Sequence, residues 1–154
     1  MTETHDGPEA IVHVDGASRG NPGAAGAGVV IRTRGGDIVQ ELSVPIPHAT
    51  NNVAEYRGLI EGLRAAEELG LRRIEVRTDS ELLFRQLKGI YRVKNPGLRQ
   101  LHAEAVGLLR RFEGYSLRQV RREENAHADR LASAAAALAA RIGQRPPRQG
   151  RLDV

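Results

Sequence analysis

The stretch IVHVDGASRGNPG at residues 11–23 decides how this chain folds. Its apolar, alternating first part predicts a strand over residues 10–16 that ends at Asp15-Gly16. An aspartate at a strand end is often a turn residue or a helix cap, so Asp15 alone does not decide between structure and function. The following residues are rich in glycine and turn formers, which lets the backbone approach a bound molecule closely.

Two more strands follow this first segment. The sequence predicts them at residues 24–33 and 38–46, joined by a hairpin turn at Arg34-Gly35-Gly36-Asp37, where glycine tolerates a positive φ. Because the links are short, the three strands should pair antiparallel.

The hydrophobic pattern then changes to the period of a helix. Predicted helices lie at 52–69, 80–87, 96–112 and 124–141, and predicted strands at 72–78 and 115–121. Alternation of strand and helix favours parallel pairing. The sequence therefore predicts an α/β fold in the order βββαβααβα, with a mixed five-stranded sheet of three antiparallel and then parallel strands, flanked by helices. We expect one domain over 10–141, a flexible N-terminus over 1–9 and a disordered basic tail over 142–154.

Three further acidic residues stand in distinctive local contexts. Glu55 lies in TNNVAEYRGLIEGL, Asp79 in IEVRTDSELLFRQL and Asp129 in RREENAHADRLA. Alone, Glu55 and Asp129 could simply be acidic residues that favour the start of a helix. Carboxylates gathered in a partly buried site repel one another, so a chain that gathers four normally binds hard divalent cations. The pattern favours a metal-dependent phosphoryl-transfer enzyme.

In their order and predicted secondary structure, the four segments resemble type 1 ribonuclease H over residues 10–141. The resemblance implies a ribonuclease H-like fold and an endonuclease that hydrolyses the RNA strand of RNA–DNA hybrids, leaving 5′-phosphate and 3′-hydroxyl ends. It also implies two Mg²⁺ ions per site, with Mn²⁺ as an alternative. Asp15 and Asp79 would bridge both ions, while Glu55 and Asp129 would each support one.

The resemblance also implies contacts with the nucleic acid. The residue at Asn21 would contact 2′-hydroxyls of the RNA strand, and Thr50, Asn51 and Asn95 would form a pocket for a DNA-strand phosphate. The full set of implied substrate-binding residues is Gly16, Asn21, Thr50, Asn51, Asn52, Ser80 and Asn95. Further candidates are His48, Glu81, Arg122 and Asn125.

The chain departs from the family pattern in two places. Many bacterial members have a histidine in the loop before the last ligand. This chain has Arg121, Arg122, Glu123 and Glu124 there, any of which could act instead, with Arg122 favoured, and His127 would face away from Asp129. The segment RQLKGIYRVKNPGL at residues 85–98 is also too short for the basic helix, or handle, by which some members grip the hybrid. The chain thus resembles handle-less archaeal-like and actinobacterial-like members, some of which also cut double-stranded RNA.

Bulk composition limits the remaining possibilities. The 154 residues carry a net charge of +4 and no cysteine, which excludes disulfides and thiolate catalysis. A basic chain suits a polyanionic partner, although a bias towards arginine would give the same charge. No apolar run reaches the ~20 residues of a membrane span. We expect a cytoplasmic monomer without a membrane partner. Alternatives are a catalytically weak hybrid-binding or RNA-binding module of the same fold and a transposase or resolvase core.

Overall fold

The structure is a computed structural model that describes residues 7–144. The predictions for residues 1–6 and 145–154 lie outside this part of the chain. The five strands are β1 (Ala10–Arg19), β2 (Gly23–Thr33), β3 (Ile38–Ala49), β4 (Arg73–Thr78) and β5 (Gly114–Gln119). The four α-helices are α1 (Asn51–Glu68), α2 (Glu81–Leu87), α3 (Pro96–Leu109) and α4 (Ala126–Gln144).

The strands form one sheet in the order β3-β2-β1-β4-β5. β2 pairs antiparallel with both β1 and β3, while β4 pairs parallel with both β1 and β5. The predicted mixed sheet and its order of elements are confirmed.

Helices cover the sheet on both faces. Val12 and Val14 of β1 point to one face and pack in the main core with Leu59 and Leu63 of α1. Alternate residues of a strand point to opposite faces, and Gly28 of β2 points to the other face, where it touches α4. α1 and α4 therefore sandwich the middle of the sheet, and both approach β1.

The first hairpin is longer than the sequence predicted. β1 continues to Arg19 and pairs with β2 along its whole length, so residues 17–19 belong to the strand and the turn is confined to residues 20–22. β3 pairs with β2 from Gly23 to Arg32, so the three antiparallel strands all extend past His13, where the pairing of β1 with β4 ends. Asp15 consequently lies inside a strand rather than at its end.

The last helix begins and ends later than predicted. A 3₁₀ turn occupies Arg122–Asn125, because the Glu124 carboxylate accepts the Arg121 backbone N–H at 2.9 Å and closes a tight first turn. The α-helix then runs from Ala126 to Gln144, three residues beyond the predicted boundary at 141. Over residues 7–144, none of the helices is long and apolar enough to cross a membrane.

Candidate active site

The four predicted carboxylates come together in one pocket. Asp15, Glu55, Asp79 and Asp129 line a cavity of about 310 Å³, although three of them come from β1, α1 and α4 and Asp79 from the turn after β4. The same cavity is also lined by Gly16, Ala17, Ser18, Asn51, Arg122 and Ser133.

Sheet register brings Asp15 and Asp79 to the same place. The parallel ladder between β1 and β4 ends at the pair His13 and Arg77. Asp15 lies two residues beyond His13, and Asp79 lies two residues beyond Arg77. The two aspartates therefore occupy the next equivalent positions, where β1 continues along β2 and β4 turns away towards α2.

Two glycines bring Glu55 against β1. A Cβ added at Gly58 of α1 would lie 2.7 Å from the Asp15 carbonyl oxygen, and one at Gly16 would lie 2.3 Å from the Glu55 backbone nitrogen. Such distances are too short for any other residue, so the helix and strand backbones are in direct contact. This contact places the Glu55 carboxyl beside that of Asp15.

Close packing of α4 positions the fourth carboxylate in a similar way. A Cβ at Gly28 of β2 would lie 2.2 Å from the Ala128 carbonyl oxygen of α4. Because Gly28 pairs with Asp15 across the hairpin, the first turn of α4 passes directly over that part of the sheet. Asp129 lies in that first turn, and it therefore enters the pocket from the face of the sheet that α4 covers.

Burial and mutual repulsion among the carboxyl groups of the pocket disfavour their charged forms. Burial, the neighbouring Asp129 carboxyl and the Asp79 charge raise the pKa of Asp15 to about 8, although the Gly16 N–H partly opposes this. Burial, together with Asp15 and Asp79, also raises the pKa of Glu55 well above its ordinary value. Glu55 Oε1 is buried and has no hydrogen-bond partner in the described part of the chain.

These features fit divalent cations. Oxygen donors with unmet charge and an unpartnered buried carboxylate oxygen are what Mg²⁺ or Mn²⁺ would satisfy. Within residues 7–144, no three acidic or histidine side chains are already closed around a common point. Instead the Arg122 guanidinium, whose Nη2 lies 3.8 Å from Asp129 Oδ1, provides a nearby positive charge.

Comparison with known proteins identifies the family. A family model described as reverse transcriptase-like matches residues 13–135. The chain is 45% identical over 123 residues to ribonuclease HI of Halobacterium salinarum, and this match covers 80% of the chain and 62% of that protein. The crystal structure of that archaeon's RNase H1 superimposes with a TM-score of 0.81 at 43% identity, covering 83% of this chain and 97% of the other. This chain belongs to the ribonuclease H family.

One further relative contains a similar domain within a longer protein. The bifunctional protein Rv2228c of Mycobacterium tuberculosis is 44% identical over 131 residues, which are 84% of this chain but only 36% of that protein. Its N-terminal RNase H domain superimposes with a TM-score of 0.85 at 42% identity, covering 88% of this chain and 98% of the other. The chain thus spans about a third of the mycobacterial relative, as one domain of it.

The segment between α2 and α3 has the short form that the sequence predicted. Residues 88–95 contain no helix that could serve as a handle. They carry Lys88, Tyr91, Arg92 and Lys94, which lie at or near the surface. Lys88 lies over the Phe84 ring and Arg85 over the Tyr91 ring. We call this surface, residues 84–94, the basic aromatic patch.

Three of the predicted substrate-binding residues cap helices. Thr50, Ser80 and Asn95 are the N-caps of α1, α2 and α3, and the side-chain oxygen of each accepts a backbone N–H at 3.1 to 3.2 Å. Each cap satisfies a donor that the helix itself leaves free. Their contacts with nucleic acid stay a prediction, and none of the three lines the acidic pocket.

The remaining predicted contacts divide between the pocket and its surroundings. Gly16 and Asn51 line the pocket, and the Asn21 side-chain oxygen accepts the Asn51 N–H at 2.9 Å, which ties the first hairpin to α1. Glu81 is exposed and pairs with Arg85 at 2.8 Å. The residues Asn52 and His48 are exposed and lie outside the lining of the acidic pocket.

Neither His13 nor His127 lines the acidic pocket, and the sequence predicted that His127 would face away from Asp129. His13 is 8% exposed in the sheet, and burial lowers its pKa. The His127 ring lies between Arg32 and Glu41, 2.9 Å from the glutamate oxygen, and so faces away from Asp129.

The sequence interpretation missed two serines that line the pocket. Ser18 follows Asp15 on the extended part of β1, and Ser133 lies one helical turn after Asp129 in α4. The i, i+4 spacing from Asp129 to Ser133 is a signal that could have identified the second one.

Proposed function

We propose that this chain is an endoribonuclease that hydrolyses the RNA strand of RNA–DNA hybrids with the help of divalent metal ions. One observation carries the proposal: four carboxylates from β1, α1, the end of β4 and α4 line a single pocket. A related protein also supports the substrate. LC11-RNase H1, 40% identical with a TM-score of 0.81, has been solved in complex with an RNA/DNA hybrid.

Asp15, Glu55, Asp79 and Asp129 would hold two Mg²⁺ ions, or Mn²⁺ in their place. Bound there, the ions would supply Lewis acidity both to the attacking water and to the departing oxygen. The chain supplies the negative charge that attracts the ions and a rigid framework that keeps the four carboxylates together. Occupancy would also lower the raised pKa values of Asp15 and Glu55, because a nearby cation favours the charged form.

The other residues of the pocket would orient the substrate. Water would attack the phosphorus and release a proton, the bond from phosphorus to the 3′-oxygen would break, and the products would carry a 5′-phosphate and a 3′-hydroxyl that has taken up a proton. Asn21 and Asn51, joined at the rim, would contact the RNA backbone and its 2′-hydroxyls. Arg122 would contact the scissile region or the departing strand, in place of the loop histidine that other family members have.

The proposal includes a cytoplasmic monomer with the hybrid as its main partner. Double-stranded RNA is a second substrate to be tested, because both helices approach A-form geometry and the chain lacks a handle that could discriminate between them.

The direct test is cleavage of an end-labelled RNA–DNA hybrid with Mg²⁺. Wild type would be compared with Asp79→Asn, which removes one charge from the pocket. Asp37→Asn, the same substitution at an exposed hairpin position, is the matched control. We expect wild type and Asp37→Asn to cut the RNA strand and Asp79→Asn to lose at least about a hundredfold in rate, as loss of a main electrostatic contribution does.

Each other outcome has a distinct meaning. Tight binding of the hybrid by wild type without cutting, in either Mg²⁺ or Mn²⁺, would leave a hybrid-binding module and contradict the enzyme. Equal loss in both variants would mean that the effect is not specific to the pocket. Cutting of an RNA duplex of the same sequence would establish the second substrate.

A further inference from the structure

The side chain of Asn125 lies between the elements that carry the acidic residues. Asn125 is the last residue of the 3₁₀ turn before α4 and is only 1% exposed. Its Nδ2 donates to the Val14 carbonyl oxygen at 2.8 Å and to Asp79 Oδ1 at 3.0 Å. One amide group thus contacts β1 immediately before Asp15 and also contacts the Asp79 carboxylate.

The bond to Val14 continues the sheet where its ladder stops. Pairing of β1 with β4 ends at His13 and Arg77, so the Val14 carbonyl lies beyond the last ladder pair. A buried carbonyl without a donor is unfavourable by about 1–3 kcal/mol. Asn125 provides that donor and, with its second N–H, holds Asp79 at a fixed position relative to β1.

The orientation of the amide is determined by its neighbours. Turned over, Asn125 would point its oxygen at two other oxygens, those of Val14 and Asp79, which repel it. Its Oδ1 therefore lies on the opposite side and has no hydrogen-bond partner of normal geometry among the described residues. The buried His13 ring lies next to it, close enough for the amide to raise the pKa of that ring against the larger effect of burial.

An amide suits this position better than a charged donor. A lysine or arginine bound to Asp79 would neutralise the carboxylate and repel an incoming cation, because its charge would lie within a few ångströms of the pocket. Asn125 orients Asp79 and leaves its negative charge available. It also precedes Asp129 by four residues, so the same turn fixes the start of the helix that carries the fourth carboxylate.

We infer that Asn125 is a positioning residue that sets the metal affinity of the acidic pocket by fixing Asp79 against β1 and α4. This inference rests on the proposed metal-dependent function. Residues that hydrogen-bond to metal ligands without binding the metal themselves typically lower metal affinity by about 10- to 100-fold when they are removed.

The test measures Mg²⁺ binding without substrate. The backbone amide of Gly16, which contacts both the Asp15 and Glu55 carboxyls, reports Mg²⁺ titrations by its NMR chemical shift. Asn125→Ala would be compared with wild type, with Asn125→Ser as a second variant if the alanine variant is too unstable. Gln86→Leu is the control: Gln86 is also a buried amide, but its Oε1 accepts from Tyr56 at 2.7 Å and touches none of the four carboxylates.

We expect Asn125→Ala to weaken Mg²⁺ binding by about tenfold and Gln86→Leu to lower the unfolding temperature while leaving the Mg²⁺ titration unchanged. Wild-type Mg²⁺ affinity in Asn125→Ala, or an equal loss in both variants, overturns the inference. Mg²⁺ binding that weakens as expected in a chain that cuts no hybrid would support the role of Asn125 and contradict the proposed nuclease. Hybrid cleavage by wild type together with unchanged Mg²⁺ affinity in Asn125→Ala would support the proposed nuclease and contradict the role of Asn125.

Discussion

At the scale of single residues, Asp15 lowers the stability of the folded protein, although the proposed metal site requires its charge. It is 4% exposed and surrounded by other carboxyls, which together with burial raise its pKa to about 8. A carboxyl whose pKa is higher in the folded state than in the unfolded state, near 4, lowers stability as pH rises between the two values. The metal-free protein is therefore destabilised by the group that the proposed chemistry needs.

Substitution of this residue should stabilise the metal-free protein. We expect Asp15→Asn to raise the free energy of unfolding by about 2 kcal/mol or more near pH 8, because the buried charge is removed, and by much less near pH 4. Urea unfolding in EDTA at both pH values measures the difference. A gain that does not grow with pH would contradict the assigned cause.

Arg122 is the residue whose role the sequence left most open. It lines the pocket and lies 3.8 Å from Asp129, with its side chain largely exposed. We expect Arg122→Ala to lower the turnover rate on hybrid roughly tenfold, as loss of an exposed positive charge near developing negative charge does. Arg121→Ala, one residue away but outside the pocket lining, is the matched control for single-turnover measurements. Equal rates for Arg122→Ala and wild type would remove Arg122 from the proposed site.

At the scale of secondary-structure elements, the contact between α1 and β1 controls the geometry of the site. Gly58 lets the helix lie directly on the Asp15 carbonyl. Any side chain at this position must push α1, and Glu55 with it, away from β1. Glycine therefore has opposite effects on stability at different positions. It lowers helix propensity everywhere, but it is needed where two backbones are in direct contact.

Two glycine substitutions separate these effects. We expect Gly58→Ala to destabilise the fold by about 2 kcal/mol through overpacking and to reduce hybrid cleavage sharply. Gly107→Ala in α3, where an added Cβ meets nothing within 4 Å, should instead stabilise by about 0.5–1 kcal/mol through helix propensity and leave cleavage unchanged. Thermal unfolding and cleavage rates of both variants provide the check, and equal stability changes would contradict the packing argument.

At the scale of the whole molecule, the charge distribution combines an acidic pocket with a net charge of +4. The basic aromatic patch begins in α2, the helix that directly follows Asp79. We therefore expect a nucleic acid bound at the pocket to place phosphates near the patch, and electrostatic interactions of this kind weaken as salt is added.

The patch should account for part of the salt dependence of hybrid binding. We expect the double variant Lys88→Gln/Lys94→Gln to bind more weakly and to lower the slope of log affinity against log salt by ~0.9 for each phosphate that the variant no longer neutralises. Arg110→Gln/Arg111→Gln, which removes the same charge at the far end of α3, is the matched control. Affinity would be measured by fluorescence anisotropy on the inactive Asp79→Asn background, and identical slopes for both pairs would exclude the patch from the interface.

The sequence by itself determined the family and the order of elements, and it predicted the four carboxylates that the structure brings into one pocket. Each of these depends on short-range information: a change from strand to helix periodicity, a glycine-containing turn such as Arg34-Gly35-Gly36-Asp37, or an acidic residue in a characteristic segment. Local patterns of this kind report which face of an element is buried, and that was sufficient to place Asp79 after β4 and Asp129 in the first turn of α4.

The tertiary structure alone decided how these residues meet. The backbone contact at Gly16 and Gly58, the amide of Asn125 between Val14 and Asp79, and the place of Arg122 in the pocket each join residues that are far apart in sequence. Such contacts depend on how closely whole elements pack, because a shift of an ångström between two backbones makes or breaks them. For the same reason the sequence could not show that β1 extends past Asp15 along β2, since strand length is set by the partner strand as much as by the strand itself.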